Sequence, residues 1–579
     1  MKFLNYLVAL LLFIVVSVFY RFVHQNAVNV PYFDDYAYLE YIIKFIQAPN
    51  AWDFLRELEY KHNGHGVITA KLVFWMDYLL TGQANYRTLI LVGSSLVAFL
   101  FLYFWKILSA NKLPFFFVLP IGLFLFTPAY HENIFWAAAL WQYTVSFVIG
   151  VLTYYLLAKP TRWSLAGAIV SGFLLTYTNG NGLFGMYIGV LIPLLQSRYR
   201  TAGIWLLACM LTTAIFYWYY PFGFGSLGQE KSLRNSLLTI ISFFGASASY
   251  LRGRLPEVVV LGGAITLTLI TLAIWLGVLY VKSVLLGFSQ CGRLQRMNVK
   301  VPFLLSTFTK SRENVSLLTL LAWLLVTGLG VATARAGQNL ETPGRYMIYS
   351  VMAVVALYVT FLILLPKRGQ WILAGGMTVF GSLFLLGTYL FAAPDIINFR
   401  NSLLADAFSL QQHQRVSGKL ETMTNLVVKK YFDEAVEKGI YVFPETPVSP
   451  NQITDFDSSQ VKAEPMTFEI DTLPAYGGIL INKIKNESAS IQQGDSKNGL
   501  FLILKNDSAT YLTAVRQTPN RDRKAFLKSG YYFREGFEAL VYQDNVPAGT
   551  YHLGLLYCEG EKRRLVYTPQ QLNIQDFQK

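Results

Sequence analysis

Over its first two thirds the chain alternates long apolar runs with short polar connections, and then its pattern changes. Apolar runs at 3–22, 87–109, 114–130, 136–158, 164–179, 183–197, 201–220, 257–282, 315–334, 346–366 and 371–393 each approach the ~20 residues that a hydrocarbon core requires. They predict about 11 transmembrane helices. Two further stretches, 66–81 and 232–251, are weaker: the first carries Lys71 and Asp77, and the second is rich in serine and glycine. Making either one a span would turn the basic 283–313 loop outward, so both are expected to be interfacial or re-entrant helices. Within the first outer loop, 23–86, Leu39, Ile42, Ile43 and Ile46 follow the i, i+3, i+4, i+7 spacing of an amphipathic helix. That loop is expected to fold as two helices along the membrane surface.

Beyond Pro394 lie about 185 residues, enough for one domain. Helices are expected near 399–415 and 418–438, followed by a joint containing Pro444, Pro447 and Pro450. Short β-rich runs at 467–473, 478–485, 500–505, 510–516, 539–543, 551–557 and 563–567 alternate with turn residues. They predict a β-sandwich. The chain thus divides into a membrane part at 1–394, a helical connector at 395–450 and a sheet domain at 451–579.

Composition agrees with a polytopic α-helical membrane protein: 54% of residues are hydrophobic and only 14% charged, and the mean hydropathy is +0.39. A net charge of +14 would also suit a nucleic-acid binder, but the basic residues cluster in short segments between apolar runs, where they set topology. Lys106, Lys159, Arg198, the 293–312 cluster and Lys367 fall on one side, which is expected to be cytoplasmic. That places the protein in the plasma (inner) membrane, its N-terminus inside and its C-terminal domain extracytoplasmic, and removes nucleic acid as a partner. The run from Asn5 to Tyr20 has no small-residue cleavage site and is expected to be a retained helix. Cys209, Cys291 and Cys558 occupy settings too different for a disulfide or a metal site.

The polar clusters fall on the outer side. Asp34 and Asp35 precede the amphipathic stretch; one carboxylate would suffice as a helix cap, whereas a pair can hold a general base and a neighbour that orients it or binds a metal. Further along the loop come Lys61, His62 and His65, either solvated loop residues or a pair spaced for a metal. His131, Glu132 and Asn133 cap a span ahead of Trp136 and Trp141, which also suit interfacial anchors. The turn Asn179 to Gly182 reads as a turn former. The last outer turn holds Arg335, Arg345 and Tyr346, whose arginines either snorkel or grip a phosphate bidentately.

An acidic pair in the first outer loop (Phe33-Asp34-Asp35-Tyr36), amphipathic helices after it, short-looped spans and an outer β-domain together resemble the GT-C superfamily of membrane glycosyltransferases. The resemblance covers about residues 1–394, and the C-terminal arrangement is similar in outline to bacterial arabinosyltransferases. It implies transfer of a sugar from a polyprenyl-phosphate donor to a glycan or lipid acceptor on the outer side, with inversion. Asp34, or else Asp35, would be the base, while His62, His65, His131, Glu132, Arg335, Arg345 and Tyr346 would bind the donor phosphate or substrate. A divalent metal is an option that no ligand set decides. The rival readings are a membrane protein that binds or transports a glycan or lipid without chemistry, and a lipid-linked glycan polymerase or ligase using loop 221–256 with Arg234, Arg252 and Arg254. A transporter should carry ionisable groups midway through its spans, and these spans have almost none.

Overall fold

A computed structural model describes residues 2–60, 62, 66–218, 232–249, 255–290, 311–334, 344–416, 426–449, 466–474, 480–494 and 497–575. Among these residues, nine helical segments are long and apolar enough to cross a membrane. They include α1 (Lys2–Asn26), α5 (Tyr86–Ala110), α6 (Phe115–Phe135), α7 (Ala137–Leu157), α10 (Tyr199–Trp218) and α13 (Arg312–Ala334). The others are a segment at Pro256–Trp275, within α12 (Leu255–Gln290), and the helices α14 (Met347–Leu364) and α15 (Lys367–Phe391), the last continuing into α16 (Ala393–His413). Two shorter apolar helices, α8 (Arg162–Thr176) and α9 (Gly182–Leu195), fall where two further spans were expected. Many large side chains on these helices are both apolar and exposed, among them Phe13, Val170, Leu211 and Leu383, as suits an apolar surrounding rather than water. α14 is buried on nearly every face and forms the centre of the bundle.

The two ends of the bundle differ. Tyr86, which opens α5, donates to the Asp35 carbonyl (3.1 Å), while Lys106, near the other end of that helix, and Lys159 share the face of Tyr155 at 4.4 and 4.6 Å. Arg198 donates to the carbonyl of Lys159 (3.1 Å). Basic positions thus gather at one end, and the acidic pair lies at the other.

Residues 35–81 form three helices, one more than the pattern predicts: α2 (Asp35–Gln47), α3 (Ala51–Glu59) and α4 (Ile68–Thr81). Pro49 follows the end of α2, and the Asn50 side chain restarts the chain by accepting the backbone N–H groups of Trp52 (2.9 Å) and Asp53 (3.0 Å). In α4, Lys71 and Asp77 are buried rather than solvated. The 232–251 stretch contains α11 (Leu233–Gly245), which packs closely on α12: a Cβ on Gly245 would lie 1.9 Å from the Val258 carbonyl oxygen.

α17 (Leu426–Glu437) returns to the first-loop helices. Phe432 packs edge-on against Tyr36 (5.4 Å between centroids), Tyr441 donates to the Asn29 carbonyl (2.9 Å), and Ala84 N–H donates to that of Ile440 (2.7 Å). The connector therefore shares the core of the helical part instead of bridging two separate units.

The expected two-sheet sandwich gives way to one continuous antiparallel sheet, curled into a half-barrel, in the order β1-β2-β5-β4-β3-β6-β7. Its strands are β1 (Glu469–Pro474), β2 (Leu480–Asn486), β3 (Gly499–Lys505), β4 (Thr510–Pro519), β5 (Phe533–Tyr542), β6 (Gly549–Glu559) and β7 (Lys562–Ile574). Every neighbouring pair is hydrogen-bonded, so no break divides the strands into two layers. Leu502, Val515, Ala539, Leu553 and Ile484 fill the inner face. At the edges, the Gln570 side chain accepts the Phe468 N–H and donates to its carbonyl (2.9 Å), joining β7 to the residue just before β1. β7 runs seven residues past its expected end because Pro569 lies in the bulge between His552 and Gly554, where no ladder donor is required.

α16 covers the outer face of the sheet. Ala405 and Phe408 pack on Phe501, Ile503 and Leu512. Asn398 exchanges two hydrogen bonds with the backbone of Gln517 (3.1 and 3.2 Å), and Ser409 does the same with Leu512 (3.0 and 3.2 Å), as a neighbouring strand would.

Candidate functional site

The turn before α2 separates the two carboxylates. Phe33 has a φ of 46°, a left-handed conformation that a bulky residue rarely adopts and that points to a constrained segment. Asp35 turns inward and is 1% exposed. Its Oδ2 accepts the Tyr32 N–H (3.1 Å) and its Oδ1 accepts the Ala138 N–H (2.7 Å). Ala138 lies in the first turn of α7, which follows an extended Trp136 (φ −113°, ψ 107°) with no capping side chain of its own. Asp35 therefore caps, from 103 residues away, a helix that the chain leaves bare. Burial pushes its carboxyl well above the usual carboxylate range, and the charge of Asp34 adds to that push, while the two N–H bonds pull partly back.

Asp34 stays at the surface of the site, with 31% of its side chain exposed, and its Oδ1 lies 3.1 Å from His62 Nε2. The other ring nitrogen, His62 Nδ1, lies 3.2 Å from the Tyr41 hydroxyl. The expected pairing of Asp34 with Asp35 is thus replaced by a relay of Asp34, His62 and Tyr41. Asp34, Tyr38 and Tyr41 fall at i, i+4 and i+7, one face of α2, and this periodicity is the signal that could have found the two tyrosines. Tyr38 stacks on Phe74 of α4 (4.3 Å) and accepts a hydrogen bond from Gln142 (3.1 Å), which sits in a π-helical turn of α7 at Leu140–Thr144. Such turns recur at functional sites.

Lys71 braces the relay from behind. Its ammonium lies 3.8 Å from the centre of the Tyr41 ring and donates to the carbonyls of Glu57 (2.7 Å) and Tyr60 (2.6 Å), at the end of α3 two residues before His62. Burial lowers its pKa to about 7, against the opposing pull of Glu57 and Glu40.

Aromatic rings connect Asp34 to the next candidate group. Phe33 and Trp136 lie 5.5 Å apart, and the Arg345 guanidinium sits 5.8 Å from the Trp136 ring and 5.5 Å from that of Tyr346. Glu132 holds the turn carrying Arg345: its Oε2 accepts the Arg345 N–H (2.9 Å), and Gly344 approaches it so closely that a Cβ there would meet Oε1 at 2.6 Å. Glu132 is therefore placed to fix the turn, while Tyr346 is buried against Tyr143, Phe243 and Tyr349. The two side-chain polar atoms of Asn133 and Trp136 Nε1 are buried beside this turn with no hydrogen-bond partner among the described residues. His131 lines a separate cleft toward the sheet. Asn181, read above as a turn former, donates to Tyr349 (3.1 Å) and Thr327 (3.3 Å) and ties its turn to two spans.

His65 and Arg335 lie outside the described residues, as do Lys61, Arg252 and Arg254. Asp34 and His62 are partners of one another, and no group of three or more His, Cys, Asp or Glu able to hold a metal occurs among the described residues. Comparison with protein-family models, with curated proteins and with solved structures gives no match to this chain.

Proposed function

We propose that this chain is a polytopic membrane glycosyltransferase of the GT-C kind, with eleven spans, that moves a sugar from a polyprenyl-phosphate donor to an acceptor hydroxyl on the extracytoplasmic face. The observation that carries the reading is the half-exposed Asp34 carboxylate, held by His62 and Tyr41 and joined through Phe33 and Trp136 to the Arg345 guanidinium. A carboxylate so placed accepts a proton, and a guanidinium reached through those two rings receives the phosphate that departs.

In the reaction, the acceptor oxygen attacks the anomeric carbon as its proton passes to Asp34. The bond from that carbon to the phosphate oxygen breaks on the opposite face, which inverts the centre, and the released lipid phosphate carries its charge to Arg345. His62 donates to Asp34 Oδ1 and so fixes which oxygen lone pair faces the acceptor. Asp35 takes no part, because both of its oxygens are committed to backbone N–H groups.

The test is transfer of labelled sugar from a lipid-linked donor by purified protein in nanodiscs. Asp34→Asn should lower the rate by about 10²–10⁴ with little change in melting, as loss of a general base does. Arg345→Lys should weaken donor use more than acceptor use, because it keeps the charge and loses the fork. Near wild-type transfer by Asp34→Asn would sink the mechanism.

A further inference from the structure

Where the turn before α2 meets the sheet there is a cleft of about 590 Å³, within the ~300–1,000 Å³ of ligand pockets. The 30–36 segment, α16 and strands β4 and β5 wall it. Its floor is aromatic: Tyr32 packs edge-on against Phe399 (4.7 Å) and Phe33 (4.3 Å), and Phe33 leads on to Trp136. Tyr542 of β5 also lines it. Aromatic rings lining an open, polar-rimmed groove suit the apolar C–H face of a sugar ring, while the rim bonds its hydroxyls.

The charges of the rim are unequal. Asp395, Asp406 and Glu538 line the cleft against the single guanidinium of Arg516. Arg516 lies 3.5 Å from Asp395 and pairs in register with Glu538 across the sheet, and Glu538 also holds Lys483 at 2.7 Å. Asp406 lines the cleft near Tyr36, partly exposed, and has no hydrogen bond or ion pair among the described residues. A carboxyl group open to such a cleft is available to accept donors from a ligand. Sugar hydroxyls and ammonium groups offer it donors; ionised carboxylates and phosphates do not.

We propose that this cleft binds the acceptor and that it takes a glycan without acidic groups, neutral or amino-bearing, with Asp406 reading its hydroxyl or amino donors. The assignment rests on the glycosyltransferase reading in one respect: Phe33 lines the cleft and the residue that follows it is Asp34, the proposed base, which itself lies outside the lining.

The test measures binding of three oligosaccharides of equal length to the full chain in nanodiscs: a malto-oligosaccharide, a chitosan oligomer and an oligogalacturonate. The first two should bind at least about tenfold more tightly than the third. Asp406→Lys should reverse that ranking, Phe399→Ala should weaken all binding, and Asp34→Asn should leave binding in place. Equal or tighter binding of oligogalacturonate, or a ranking unmoved by Asp406→Lys, overturns the proposal. If sugar transfer proceeds while none of the three probes binds, the cleft assignment fails and the enzyme reading stands. If the neutral probe binds with the expected ranking and no donor supports transfer, the cleft stands and the enzyme reading fails.

Discussion

Two chemically identical neighbours have opposite fates at residue scale, and the difference is testable. Asp35 satisfies the N–H groups of Tyr32 and Ala138 in a place that water does not reach. Asp35→Ala should strand both donors, each worth ~1–3 kcal/mol, and lower the melting temperature in detergent by several degrees. Asp34→Asn should leave that temperature almost unchanged. A variant pair with equal melting would show that Asp35 is not the remote cap. The sequence made the acidic pair visible because it stands alone between an apolar run and an amphipathic helix. Which aspartate turns inward depends on Ala138, a contact no local pattern encodes. Arg345 was equally visible as a charge, but its place over Trp136 follows from the break at Trp136, which carries no proline or glycine to announce it.

Among elements, the clamp between α3 and α4 has a consequence that depends on pH. Lys71 is neutral more readily in the folded protein, at about 7, than in an unfolded chain near the ordinary lysine value. Between those two values the unfolded state binds more protons, so stability should rise as pH rises from ~7 toward ~10 and should be at its lowest below the folded value. Lys71→Met should flatten that slope while lowering stability at every pH, because the carbonyls of Glu57 and Tyr60 lose their donor. Melting curves at ~pH 6.5, 8 and 9.5 decide it: parallel slopes for the two proteins would remove Lys71 as the titrating group. Apolar runs long enough to be spans were legible from the sequence because length and composition suffice. α3 was missed because its nine residues show a short stripe that Asn50, not periodicity, brings into being. Lys71 and Asp77, which weakened 66–81 as a span, are buried because partners elsewhere in the fold receive them: Lys71 in the carbonyls of α3, and Asp77 at the Asn85 N–H (2.8 Å).

For the molecule as a whole, the seven strands were legible in their alternation, but their assembly into one curled sheet was not, because β5 sits between β2 and β4 through contacts that no adjacent residues specify. The sheet also depends on what precedes it. Phe501, Ile503, Leu512 and Leu565 face Ala405 and Phe408 of α16, and Arg400, buried in the same helix, donates to the Asn498 carbonyl (2.7 Å) and the Asn401 side chain (2.9 Å). A fragment cut at residue 451 should therefore expose an apolar face and self-associate, whereas one beginning at 393 should stay monomeric by light scattering. A monomeric, cooperatively melting 451–579 fragment would show that the helix is dispensable. The same dependence orders events during synthesis. α16 leaves the ribosome before any strand does, tethered directly to the helix that ends at Phe391, so each strand emerges beside a template already fixed in place. The sticky outer surface of the sheet thus meets its cover at high local concentration from the first strand onward, and its exposure to chaperones and to other chains is brief.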